Sequence, residues 1–257
     1  MKNTMIIGSG GREHALVKAC LKSPLVEKVI ATPGNGGMSR ECACFADVDN
    51  FEDTLKLAKE QDIDFVIIGP ETPLSEGWID RFEEVGIPAY GPKKNAARLE
   101  ASKADAKDFL QKYQIPTAAY ATFDDFEEAK NYVQAHDFYP LVVKASGLAA
   151  GKGVMIVHNY EEAQNVLKAM LEDHLFGESS ASVVIEEFLE GEEVSITLIC
   201  DGRNYLQLPP SQDHKKIGEQ DTGLNTGGMG AYAPVSFLSP SVKEEIESQL
   251  IRPTLQG

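Results

Sequence analysis

Lys144 and Lys152 bracket a run of small residues, K-A-S-G-L-A-A-G-K-G-V at 144–154, set between β-rich stretches at 141–143 and 154–157. Gly147, Gly151 and Gly153 would let backbone amides approach phosphate oxygens, and the two lysines would neutralise phosphate charge. The spacing is not that of a P-loop, in which a glycine, lysine and Ser/Thr lead into a helix. Here Lys152 is followed by Gly153 and a strand. The loop therefore reads as a flap over a nucleotide and not as a cradle beneath one. The plainer alternative is a flexible hairpin with surface lysines.

Other residues fall at positions where chemistry is commonly done. Gly8, Gly10 and Gly11 follow a strand and precede a helix, the context of a dinucleotide motif. The third motif glycine is replaced by Glu13, and no acidic residue stands near 33–35, which argues against NAD. A helix N-terminus that receives a phosphate or carboxylate remains. His14, one turn in, is read as a packing or capping residue. Glu71 and Thr72 follow a strand in G-P-E-T-P-L, either at the mouth of a site or in a stiff turn with a capping role. Glu186, Glu187, Phe188, Leu189 and Glu193 run from a strand into a turn. They are a solvated acidic edge, or else an edge that offers backbone to a base and carboxylate to a ribose. Asp213, Lys215 and the run Asn225, Thr226, Gly227 and Gly228 complete the set; glycines with small polar neighbours suit backbone hydrogen bonds to phosphate or sugar.

These residues must be held by elements. Apolar strands at 4–7, 28–31, 65–68 and 87–90 alternate with helices at 12–21, 51–61 and 76–85. That alternation predicts a parallel sheet covered on both faces, with Gly/Pro-rich segments at the strands' carboxyl ends. One helix over 95–113 is expected to lead into a second region. There, helices at 126–136 and 160–171 accompany strands at 141–144 and 183–188, and a hairpin turns at Asp201-Gly202. Residues 213–234 lack periodicity and read as a long functional or disordered loop. A last helix runs over 239–251, with Ser239 as N-cap.

The 257 residues give room for about two domains. With 24 basic and 40 acidic residues the net charge is −16, which disfavours nucleic acid. Four cysteines without a C-x-x-C pair fit neither a zinc pattern nor a disulfide framework and point to a cytoplasmic location. No run reaches the roughly 18 apolar residues of a membrane helix.

Together, G-S-G-G-R-E-H-A at 8–15, G-P-E-T-P-L at 69–74, the loop at 144–154, E-E-F-L-E-G-E-E at 186–193, D-H-K-K at 213–216 and N-T-G-G-M-G-A-Y at 225–232 resemble the glycinamide ribonucleotide synthetase family of the ATP-grasp superfamily. The resemblance runs from residue 5 to the end of the chain. It implies an α/β protein with an N-terminal, substrate-side parallel-sheet domain over 1–100. An α+β ATP-grasp region over 101–257 would follow, with a glycine-rich lid at about 118–190.

The implied activity is a ligase of purine biosynthesis. ATP would phosphorylate glycine, and 5-phosphoribosylamine would attack the glycyl phosphate. Lys103 and Lys144 would hold ATP phosphates and serve as the catalytic residues. Ser146, Gly147, Gly151, Lys152 and Gly153 would close over them. Glu186, Glu187, Phe188 and Leu189 would meet adenine, partly through backbone, and Glu193 the ribose. Gly8, Gly10, Gly11, Glu71, Thr72, Asp213, Lys215, Asn225, Thr226, Gly227 and Gly228 would face the substrates. Family members run beyond 257, and their Mg²⁺ ligands lie in that part, so the chain is expected to be incomplete and inactive alone. The alternatives are another ATP-grasp carboxylate–amine ligase or a non-catalytic nucleotide-binding module.

Overall fold

The computed structural model describes residues 1–257 other than Asp137, Ala150 and Asp221, with backbone only for Leu224, Asn225 and Gly227. The chain divides into two units, Met1–Ala101 and Ser102–Gly257.

In the first unit the order is β1 (Lys2–Gly8), α1 (Gly11–Leu21), β2 (Val26–Pro33), β3 (Ala43–Cys44), α2 (Phe51–Glu60), β4 (Phe65–Ile68), α3 (Glu71–Ser75), α4 (Trp78–Glu84), β5 (Ala89–Tyr90) and α5 (Lys94–Ala101). The strands form one parallel sheet in the order β3-β2-β1-β4-β5. Successive side chains of a strand point to opposite faces, and β1 uses both. Met5 and Ile7 pack with Phe51, Trp78 and Phe82, while Ile6 packs with Val17 and Met38. Covering both faces explains why β1 is apolar without alternation.

In the second unit, α6 (Lys103–Lys112), β6 (Tyr120–Phe123), α7 (Phe126–Gln134), β7 (Leu141–Ala145), β8 (Val154–Val157), α8 (Tyr160–Leu171) and β9 (Val183–Glu187) come first. The four strands form an antiparallel sheet in the order β6-β9-β7-β8. Helices α7 and α8 cover one face. Val133, Leu167 and Met170 meet Leu141, Val143, Ala145, Val183 and Ile185 there. Asp125 and Asn159 start the two helices by accepting from Glu128 N and Glu162 N at 2.9 Å each. Two antiparallel hairpins follow, β10 (Leu198–Cys200) with β11 (Tyr205–Gln207), and β12 (Gln212–Gly218) with β13 (Thr222–Tyr232). Helix α9 (Pro240–Ile246) runs through a wider turn at Glu247–Ile251 into α10 (Arg252–Gln256).

Several expectations are corrected. The single helix over 95–113 is two helices, because Ser102 adopts extended dihedrals and its hydroxyl accepts from Asp105 N at 3.1 Å, starting a new helix. Glu71 and Thr72 open the short helix α3 and are not in a turn. Gly77, at φ +83°, separates α3 from α4, which begins at Trp78 and not at 76. The segment 213–234 is mostly hairpin and not loop. Its ladder shifts register between His214 and Lys216 and again between Lys216 and Gly218, which erases the two-residue period a strand needs to be read. Two strands, β3 and β6, had no expected counterpart.

Candidate nucleotide site

Strands β7 and β9 pair with Lys144 opposite Val184 and Val142 opposite Glu186. These four residues occupy the sheet face that α7 and α8 leave uncovered. On that face Lys144 Nζ lies 2.9 Å from Glu186 Oε2, and Lys107 Nζ, from α6, lies 3.1 Å from the same oxygen. Glu186 is 6% exposed and Lys107 9%, whereas Lys144 retains 26%. A buried carboxylate needs such partners, since desolvation without them would cost several kcal/mol.

The loop after Lys144 is fastened to the start of α6. Lys103 N donates to Ser146 O at 2.8 Å, and Ala104 N donates to Ser146 Oγ at 3.1 Å. Lys103 Nζ donates to Ala145 O at 2.9 Å and to Gly147 O at 3.2 Å. Gly147 is required by contact. A Cβ there would stand 2.7 Å from Ser179 Cα, and Ser179 Oγ donates to Leu148 O at 2.6 Å. Gly153 is required likewise, for its Cβ would meet those of Ala149 and Ala145 at 2.8 and 3.0 Å. Gly151 sits at φ +75° and, with Lys152, is exposed. The loop is thus pinned at both ends and open at its tip. Ala150, at the centre of the run, lies outside the described residues.

Beyond Glu186, Glu187 Oε1 accepts from Ala119 N at 2.8 Å, tying β9 to the entrance of β6. Phe188 and Leu189 are exposed apolar side chains. Glu193 pairs with Lys215 at 2.8 Å, and this hydrogen bond is the foremost reason the lysine's pKa is raised. Thr226 Oγ1 donates to Lys215 O at 2.9 Å and accepts from Gly228 N at 3.0 Å; Asp213 Oδ2 would lie 4.0 Å from a Cβ on Gly228. The side chain of Asn225 lies outside the described residues, and Gly227 is described by its backbone alone.

In the first unit, Gly10 caps α1 and its N–H donates to Glu13 Oε2 at 2.7 Å. Gly8, at φ +133°, accepts at its carbonyl from Gly34 N, and Asn35 Nδ2 donates to Ser9 O at 2.8 Å. Gly11 begins the helix with open space where a Cβ would be. Glu71 accepts from Arg12 at 3.3 Å, and Thr72 O accepts from Ser75 Oγ. His14 packs beside Gly37 and hydrogen-bonds Glu41 at 2.9 Å; that bond, ahead of Lys18, holds Glu41 below the usual carboxylate range.

Three residues organise these loops in ways not expected from the sequence, where Glu13 is read only as the replacement of a motif glycine. Lys107 lies four residues after Lys103, on the same helix face, and that spacing was the available signal. Glu13 is the N3 member of a capping box. Ser179 carries no sequence signal. Among the described residues no three His, Cys, Asp or Glu side chains gather closely enough to hold a metal ion.

An antiparallel sheet with helices on one face, a lysine–carboxylate cluster on the other and a glycine loop at its edge defines an ATP-grasp protein. A family model described as phosphoribosylglycinamide synthetase, ATP-grasp (A) domain, matches residues 101–257, and one described as its N domain matches 2–100. The chain belongs to the phosphoribosylglycinamide synthetase family. It is 48% identical over 258 residues to phosphoribosylamine–glycine ligase of Vibrio vulnificus, covering 99% of this chain and 60% of that protein. It is similar to the crystal structure of phosphoribosylamine–glycine ligase from Thermotoga maritima, with TM-score 0.83, 36% identity, and coverage of 99% of this chain and 60% of that one. A biotin carboxylase domain from Hydrogenobacter thermophilus, crystallised with MgADP, shares the fold at TM-score 0.78 and 19% identity, covering 100% of this chain and 58% of that one. The chain therefore spans less than two thirds of the length of these relatives.

Proposed function

We propose that this chain supplies the N-terminal domain and the lid-bearing nucleotide region, with the lid at about 118–190, of a ligase. That ligase joins glycine to 5-phosphoribosylamine at the expense of ATP. The observation that carries the reading is the pairing of Lys144 with Glu186 on the sheet face opposite α7 and α8, directly before a glycine loop pinned to α6. The names of the relatives support the choice of substrates.

In this reading a glycine carboxylate oxygen attacks the γ-phosphorus of ATP, the bond to the β-phosphate oxygen breaks, and ADP leaves. The amine of 5-phosphoribosylamine then attacks the acyl carbon. Phosphate departs with the C–O bond electrons, the nitrogen loses a proton, and glycinamide ribonucleotide remains. Lys144 and Lys103 neutralise transferring charge, and the 146–153 loop excludes water that would hydrolyse the acyl phosphate. Glu186 to Leu189 offer backbone to adenine, and Glu193 takes the ribose. Gly8, Gly10, Gly11, Glu71, Thr72, Asp213, Lys215 and the 225–228 segment face the other substrates. Magnesium would accompany the nucleotide; among the described residues no three His, Cys, Asp or Glu side chains gather closely enough to hold it. Among the described residues no helix is long and apolar enough to cross a membrane, and the four free cysteines agree with a cytoplasmic site of action.

ADP formation by the intact protein, with ATP, Mg²⁺, glycine and fresh 5-phosphoribosylamine omitted one at a time, tests this. Strict dependence on both substrates is expected. ADP release with neither, or a requirement for a different acid or amine, would overturn the assignment.

A further inference from the structure

Resting on that nucleotide assignment, we propose that Lys107 is a positioning residue: it serves as the resident counter-ion of Glu186 and so leaves Lys144 available to a phosphate. Glu186 Oε2 lies between two ammonium groups, 3.1 Å from Lys107 and 2.9 Å from Lys144, and the two are held differently. Lys107 Nζ also donates to Thr117 Oγ1 at 2.7 Å and to Ala118 O at 3.4 Å, so three acceptors meet its three N–H groups. The Tyr120 ring centroid lies 5.3 Å from it. Lys144 has Glu186 as its one ion-pair partner among the described residues and its side chain remains 26% exposed.

Two ammonium groups and one carboxylate leave one net positive charge in this cluster. Without Lys107 the sum falls to zero, and the buried Glu186 would hold Lys144 as its sole counter-ion. Lys144 would then have to abandon a buried carboxylate in order to meet a phosphate. The first turns of α6 thereby set both halves of the site: Lys103 grips the loop backbone, and Lys107 satisfies the strand carboxylate.

The test is the ratio of ATP to adenosine affinity in the intact protein, by calorimetry, for wild type and Lys107→Met. Damage to the fold lowers both affinities, whereas loss of Lys144's availability lowers only the one that depends on phosphates. The expected result is a fall in the ratio of about tenfold, the worth of one charge-assisted hydrogen bond, with adenosine affinity nearly unchanged. The double variant Lys107→Met/Glu186→Gln leaves no buried unpaired carboxylate and should recover most of the ratio, even if the single variant folds poorly. An unchanged ratio in the single variant, equal losses for both ligands, or a ratio still collapsed in the double variant overturns the proposal. A wild-type protein that binds adenosine as well as ATP overturns the nucleotide assignment, and the proposal with it.

Discussion

Glu13 Oε2 accepts the Gly10 N–H at 2.7 Å, and its side chain occupies the space between the backbones of Gly8 and Gly69. A Cβ on Gly8 would stand 2.4 Å from Glu13 Cγ, and one on Gly69 would stand 2.2 Å from Glu13 Oε1. A carboxylate thus fills the place that a third glycine holds in a dinucleotide motif, and the loop closes on protein where such a motif leaves room for pyrophosphate.

Glu13→Ala removes the capping bond and leaves a hollow beneath two glycines. A loss of roughly 1–2 kcal/mol is expected, measured by urea unfolding followed at a probe in the first unit. Stability equal to wild type would show that the loop does not depend on this side chain.

Lys144→Met leaves Glu186 paired to Lys107. Unfolding stability should change by less than about 1 kcal/mol, while the shift in melting temperature produced by millimolar ATP should shrink sharply. A variant that melts early but keeps its full ATP shift would reverse the roles of the two lysines.

Gly147→Ala places a methyl group 2.7 Å from Ser179 Cα, a backbone atom that cannot swing aside. The loop must move away from the 177–180 turn, and ATP affinity should fall by about tenfold or more with little change in overall fold. Retained affinity would mean that the seat of the loop on Ser179 is immaterial to binding.

Asp201 accepts from the Asn204 and Arg203 amides, which lowers its pKa from 3.8 to about 2. A group depressed on folding lends stability above its unfolded pKa and loses it as pH falls toward the folded one. The turn between β10 and β11 should therefore loosen between pH 3.8 and about 2. Carboxyl NMR titration checks the value, and Asp201→Asn should remove the loss of amide protection, relative to the intrinsic exchange rate, that Arg203 and Asn204 show across this pH range. A titration at the ordinary carboxylate value would contradict this geometry.

The parallel sheet and the lysine-flanked loop were legible because both are written locally. Apolar runs such as 4–7 and 65–68 end at Gly/Pro turns, and period two in 141–145 places Lys144 between core residues. For Lys107 the sequence offers only its place one turn after Lys103, because a buried lysine looks like a surface one until its carboxylate is found 79 positions away, at Glu186. The β12–β13 hairpin was missed for a different reason. Most of its described side chains are exposed and its register shifts twice, so no alternation remains in the sequence. The break at Ser102 could have been read from its capping potential, but the helix formers on both sides outweighed it.

Strand β7 gives alternate residues to two tasks: Leu141, Val143 and Ala145 to the core beneath α7 and α8, Val142 and Lys144 to the opposite face. A single inserted or deleted residue there would drive the ammonium group into oil and turn core side chains outward. Along these five positions the reading frame of the gene and the pleat of the sheet must stay in phase, so length variation in this protein should accumulate in the hairpins that follow and be absent from the strand that ends at the loop.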